Sequence, residues 1–181
     1  MSKDGLTLEI ERKFLIRYPD INRLDALCFK KSEIIQTYLV DEDEASSSRV
    51  RLRNTDGEIE YTKTIKKRIN NRSREEYEEI LSKEEYESLL RFKDPSLNVI
   101  KKTRWCIKEG DLVLEIDVFP FWTDRAFLEI ELEREEQEIK IPSYIKIIKE
   151  VTEDKRYTNR ALSKQVPYDS IYVNPGDPLG N

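Results

Sequence analysis

The chain of 181 residues contains no histidine. That removes the commonest general base and the commonest transition-metal ligand together, and with them every acyl-transfer triad of the Ser-His type. Cysteine is nearly missing as well. Cys28 and Cys106 show no metal-ligand or redox spacing, which excludes zinc-ribbon and thioredoxin-type chemistry, and both thiols are expected to be buried and reduced. Glycine occurs five times, never as a glycine-rich loop before a helix, so the P-loop solution to phosphate binding is excluded. No segment approaches the roughly 20 apolar residues of a membrane span, and the first residues do not read as a basic-then-apolar secretion signal. The expectation is a cytoplasmic protein with no membrane partner.

What the sequence does have is charge. Asp, Glu, Lys and Arg make up 38% of it, in mixed sign, with a formal net charge of -5. A disordered polyelectrolyte and a general nucleic-acid binder are both inconsistent with that balance, so no nucleic-acid partner is expected and any anion site must be local. The length suits one domain with a full core. We expect that domain to span residues 1–166, followed by an irregular Pro/Gly-bearing tail at 167–181. Chemistry is left to carboxylates, lysines, arginines, tyrosines and an oxygen-loving metal such as Mg²⁺ or Mn²⁺.

Periodicity places the elements. "PDINRLDALCFK" sets Ile21, Leu24 and Leu27/Cys28 at helical spacing behind a Pro-Asp start, and "IIQTYLV" follows as a short strand. "SKEEYESLLRF" begins with a capping box, Ser82 and Glu85, and Leu81 and Tyr86 are spaced as a hydrophobic staple. The Asp-Gly of "NTDGE" marks a hairpin. "PSYIKIIKEV" and "NRALSKQ" read as two short helices near the end.

The strands carry an unusual pattern. In "LTLEIERKFLI" the charges Glu9, Glu11 and Lys13 share one face, and Leu8, Ile10 and Phe14 the other. One such strand is explained by a solvated outer face, but the scheme returns with a sign set strand by strand. Arg49, Arg51 and Arg53 share a face of "RVRLR", Thr62, Thr64 and Lys66 a face of "EIEYTKTIK", and Glu76 and Glu78 flank Tyr77. Lys102, Arg104 and Lys108 align in "VIKKTRWCIK", Glu115 and Asp117 in "LVLEIDVF", and Glu129, Glu131 and Glu133 in "AFLEIELE". Such segregation suits a sheet curled around a polar lumen, its apolar outside covered by helices. Unpaired charges are costly to bury, and a short phosphate chain with divalent cations would balance them. Carboxylates one residue apart point the same way and suit a hard cation, while arginine forks suit phosphate oxygens.

The residues of "LEIERKFLI" resemble the Glu-x-Glu-x-Lys strand of the CYTH superfamily, the triphosphate tunnel metalloenzymes. "RVRLR", "TIK", "REEYE", "KKTRW", "LEIDVF", "FLEIELE" and "EVTEDKRYTN" follow in that family's order, over roughly Leu8 to Leu162. The resemblance implies an α+β fold: an antiparallel eight-stranded β-barrel with helices packed outside, and a triphosphate group bound in its tunnel. It implies metal-site carboxylates at Glu9, Glu11, Glu129 and Glu131, with Asp117 near the metal. It implies phosphate-binding residues at Lys13, Arg51, Arg53, Lys66, Lys102 and Arg104, and further tunnel carboxylates at Glu76 and Glu78. Of these, Glu9, Glu11, Lys13 and Asp117 form the expected catalytic group. Three arginines stand where the family usually shows two, so Arg49 and Arg53 both compete to partner Arg51. Lys63 competes with Lys66, and face alternation favours Lys66. Lys155, Arg156 and Tyr157 fall in the closing segment, read equally as a plug or as a direct contact. A homodimer would follow from the resemblance alone.

The activity expected is metal-dependent hydrolysis of a triphosphate, inorganic tripolyphosphate first. The competing readings are an adenylyl cyclase of the class sharing this superfamily, a thiamine triphosphatase stacking its substrate on Trp105, Trp122 or Phe121, and a non-catalytic module binding polyphosphate, a nucleotide or a phosphoinositide headgroup.

Overall fold

The alternating stretches pair into one antiparallel sheet. The computed structural model describes residues 10–41, 46–68 and 74–171. Its strands are β1 (Ile10–Arg17), β2 (Lys30–Tyr38), β3 (Ser46–Thr55), β4 (Glu58–Arg68), β5 (Arg74–Leu81), β6 (Ile100–Glu109), β7 (Leu112–Val118), β8 (Arg125–Leu132) and β9 (Ile147–Glu150), in the order β5-β4-β3-β2-β6-β7-β8-β1-β9. Two tight turns fix the hairpin registers. Asp56 and Gly57 both take positive φ, 53° and 91°, as a type I′ turn requires, and the Gly57 N–H donates to Asn54 Oδ1 at 2.9 Å. Gly110, φ 60°, opens the β6–β7 turn.

The expected eight-stranded closed barrel is corrected to nine strands in a sheet that does not close. Among the described residues no ladder joins the edges β5 and β9. The ninth strand, β9, pairs with Phe14, Leu15 and Ile16 of β1 and covers that part of its outer edge. This strand also replaces the helix expected over "PSYIKIIKEV": Pro142 to Ile145 form a turn, with the Ile145 N–H on the Pro142 carbonyl at 3.0 Å, and the chain then runs extended. The sheet is nevertheless curled. Glu11 on β1 feels the charge of Lys66 on β4, although β1 is eighth in the strand order and β4 second.

Helices close the outside. α1 (Ile21–Leu27) starts at Asp20, whose side chain accepts from the Arg23 N–H at 3.2 Å, and inserts Leu24 into a core with Phe14, Ile16, Trp105, Leu114, Ile116, Leu128 and Ile130. α2 (Lys83–Leu89) carries the capping box in full: Ser82 Oγ accepts from the Glu85 N–H, and Glu85 accepts from the Ser82 N–H. Leu81 and Tyr86 meet there beside Leu39 and Val50. α3 (Asn159–Lys164) is the second of the expected terminal helices. No helix among the described residues is long and apolar enough to cross a membrane.

A second core lies across one end of the inner face. Leu15, Tyr38, Ile100, Phe119 and Phe127 from the sheet pack with Trp122, Val151, Tyr157 and Leu162. Its rings meet edge-on, Trp122 to Phe127 at 5.1 Å and Phe119 to Phe127 at 5.5 Å. Residues 166–171 pack over this cluster, with the Pro167 carbonyl accepting from Trp122 Nε1 at 3.1 Å.

Candidate functional site

Directly paired residues of neighbouring strands face the same side, so the register shows which side chains share the lumen. One row runs Lys13, Glu129, Glu115, Cys106, Lys30, and the row beside it Leu15, Phe127, Asp117, Arg104, Ser32. On the other half the rows are Glu60–Arg53–Ile34–Lys102, Ile80–Thr62–Arg51–Gln36–Ile100, Glu78–Thr64–Arg49–Tyr38 and Glu76–Lys66–Ser47. Glu11 pairs with Glu131 at the rim. Thus Glu11, Lys13, Arg49, Arg51, Arg53, Lys66, Glu76, Glu78, Lys102, Arg104, Asp117, Glu129 and Glu131 share one face. Glu9 lies outside the described residues. Lys63 points to the opposite face, towards Glu79 at 3.7 Å, so Lys66 is the lysine that the lumen receives.

The half built from β1, β6, β7 and β8 is a dense ion network. Asp117, fully buried, accepts from Lys102 Nζ at 2.6 Å and from Arg104 Nε and Nη2 at 2.6 and 2.7 Å. Arg104 Nη2 also reaches Glu129 Oε2 at 3.1 Å, and its Nη1 pairs with Glu115. Lys13 Nζ lies 3.0 Å from Glu129 Oε1 and 4.1 Å from the centre of the Phe127 ring. Burial disfavours the charged form of Asp117, yet Arg104 and Lys102 outweigh it and hold the carboxyl below its usual range. Glu129 is likewise buried, and Lys13, Arg104 and Lys102 keep it well below the usual value. Burial, then Arg104, lowers Lys102 to about 8 against the pull of Asp117.

The rim carboxylates behave differently. Enclosure by the curl, then Glu129, raises Glu11, which keeps solvent contact; burial raises Glu115 against Arg104. Among the described residues no three carboxylates already converge on one point as metal ligands. The donor set still fits a hard divalent cation. Glu11, Glu129 and Glu131 are oxygen donors on adjacent strands, and the rise at Glu11 marks a place where added positive charge is stabilising.

The half built from β2, β3 and β4 has cations without counterparts. Arg51 reaches Glu78 at 3.2 Å and Lys66 reaches Glu76 at 2.8 Å. Arg49 and Arg53 make no salt bridge among the described residues, and the buried Nε of each lacks a hydrogen-bond partner, as do Gln36 Nε2 and Thr62 Oγ1. Burial, then Arg49 and Arg53, lowers Arg51 to about 10.

The chain belongs to the CYTH domain family. The family's profile matches residues 7–158. Two crystal structures of NE1496 align with it. The one described as a hypothetical protein shows 30% identity over 88% of this chain and 99% of its own, TM-score 0.55. The one described as an inorganic triphosphatase shows 29% identity over 92% and 98%, TM-score 0.53. PH1819 from Pyrococcus horikoshii OT3, at 22% identity over 70% of this chain and 80% of its own with TM-score 0.52, shares the fold. No curated protein matches the chain.

Within this CYTH domain the aromatic residues considered for stacking are otherwise engaged. Trp105 sits in the outer core and donates to Asp25 Oδ1 at 2.7 Å, while Trp122 and Phe121 belong to the aromatic cluster at the end of the lumen. Tyr157 is fully buried in the same cluster, a plug rather than a lumen contact, and Arg156 pairs with Asp154 and Asp169 at the surface. Sequence reasoning noted Glu115 and Thr62 as face partners but assigned them no part in the site, and it passed over Gln36. The signal for Gln36 was there, as a lone amide inside the apolar strand "IIQTYLV".

Proposed function

We propose that this CYTH-domain protein hydrolyses a linear triphosphate, inorganic tripolyphosphate before any other, with Mg²⁺ or Mn²⁺ as its cofactor. The observation that carries this reading is the register, under which segregated carboxylates and guanidinium groups face one another across a single curled sheet. The inorganic triphosphatase NE1496, at 29% identity over nearly its whole length, supports the same substrate class.

In this reading Arg49, Arg51, Arg53, Lys66, Lys102 and Arg104 bind and orient the phosphate chain and stabilise charge on the transferred phosphoryl group. Lys13, fixed between Glu129 and Phe127, presents its ammonium beside the rim carboxylates. Glu9, Glu11, Glu129 and Glu131, with Asp117 behind them, hold the divalent cation. When bound, such a cation supplies charge neutralisation and orientation of the attacking water. Glu76 and Glu78 keep Lys66 and Arg51 turned into the lumen. In this reading the partner is a small triphosphate-containing molecule, the protein is cytoplasmic, and neither a nucleic acid nor a membrane takes part.

The test is phosphate and pyrophosphate release from inorganic triphosphate, ATP and thiamine triphosphate, with Mg²⁺ and with Mn²⁺. Rapid phosphate release from inorganic triphosphate is expected. Cyclic AMP from ATP, or tight binding without turnover under either metal, would replace the hydrolase with a cyclase or a binding module.

A further inference from the structure

The unpartnered buried atoms of the inner face are not scattered. Gln36 and Thr62 are the two cross-strand partners of Arg51, one on each side, and Arg49 and Arg53 lie two residues before and after it on β3. Gln36 is 1% exposed and Thr62 2%, so bulk solvent does not reach the amide or the hydroxyl. An unpaired buried donor is destabilising, and native folds leave few of them. Here four surround one side chain. By contrast Arg104, equally deep, is bonded to three carboxylates.

Three guanidinium groups and two neutral donors, arriving from β2, β3 and β4, exceed what a two-oxygen carboxylate can accept. They suit the several terminal oxygens of a tetrahedral phosphoryl group. Building on the triphosphatase reading, we propose that Gln36 and Thr62 complete an anion subsite centred on Arg51, donating an amide N–H and a hydroxyl to one phosphoryl group that Arg49 and Arg53 flank. The two neutral residues act as specificity determinants: they reward hydrogen-bond geometry where the arginines reward charge. They contribute nothing to the fold that an apolar side chain of the same shape would not.

That last property makes the proposal testable apart from activity. Gln36→Leu, Thr62→Val and Thr62→Ser would be compared with wild type by calorimetric titration with inorganic triphosphate in a chelating buffer, and by thermal unfolding without ligand. Loss of one hydrogen bond to a charged group is expected to weaken binding about tenfold in Gln36→Leu and in Thr62→Val. Thr62→Ser should restore it, and the unfolding midpoints of the two apolar variants should hold or rise. Unchanged affinity in both, or weaker binding that tracks a fall in the midpoint, overturns the subsite. A wild type that binds triphosphate but never hydrolyses it, with variants weakened as expected, keeps the subsite and removes the hydrolase. Turnover by wild type with indifferent variants does the reverse. A wild type that neither binds nor hydrolyses triphosphate removes both.

Discussion

The lumen has two halves made of the same residue types and finished differently. On β1, β6, β7 and β8 each buried cation is committed: Lys102 and Arg104 to Asp117, Arg104 also to Glu115 and Glu129, and Lys13 to Glu129. On β2, β3 and β4, Arg49 and Arg53 face the same lumen without carboxylate partners among the described residues, and Gln36 and Thr62 leave donors unused. A buried polar network is tolerated when every member is satisfied and destabilising when it is not. In the first half the buried cations are therefore charge-paired by the fold itself, and Glu11 at its rim is the carboxylate left in excess. The second is complete only when something anionic lies on it.

The comparison breaks most visibly at Asp117. Asp117→Asn leaves Lys102 and Arg104 buried and under-compensated, and a loss of about 3–5 kcal/mol is expected in urea denaturation. The matching change on the other half, Arg49→Met or Arg53→Met, removes a charge without a partner. It should alter stability by less than about 1 kcal/mol while lowering triphosphate turnover by about 100-fold or more. Equal destabilisation on both halves would show that the contrast is not real.

Next in size is the rim. Glu11→Gln, or a chelator added to wild type, should reduce turnover by about 100-fold, and Glu11→Gln should hold or raise the unfolding midpoint, because Glu11 supports no buried pair and burial and Glu129 disfavour its charge. Acid should then separate the halves more gently. Asp117 and Glu129 have lowered pKa values in the fold, so they bind protons less readily than in the unfolded chain. Their stabilisation is fully present above about pH 4, the unfolded range, and is lost as pH falls through their folded values. Glu11, raised, works in the opposite sense and offsets part of this. Denaturant midpoints measured from about pH 5 to about pH 2 should fall in wild type and fall less steeply in Asp117→Asn. The smallest effect expected is outside the lumen: Ser82→Ala removes the capping box of α2 for about 1 kcal/mol and leaves triphosphate turnover unchanged.

Much of this was legible in the residue order because strand faces alternate with a period of two. Period alone assigned Arg49, Arg51 and Arg53 to one side, preferred Lys66 over Lys63, and grouped Lys102 with Arg104. Local signals of the same kind, the Ser82–Glu85 box and the Asp56–Gly57 turn, were equally readable, since each depends on residues within one turn of chain. The segment at 142–151 was not. Its Ile-Lys-Ile-Ile spacing suits a helix as well as a strand, and pairing with β1, more than 130 residues away, decided it. The same pairing made β9 the ninth strand of a sheet read beforehand as an eight-stranded barrel.

The sequence by itself determined the inventory: no histidine, no glycine-rich phosphate loop, and charges sorted by sign onto alternate faces of successive strands. Those are properties of single residues and of their immediate spacing, which survive without a fold. Only the tertiary structure decided which cations are neutralised and which are not, that Tyr157 closes an aromatic end, and that Gln36 and Thr62 meet beside Arg51. Those depend on strand order and register, and register joins residues that no local pattern can relate.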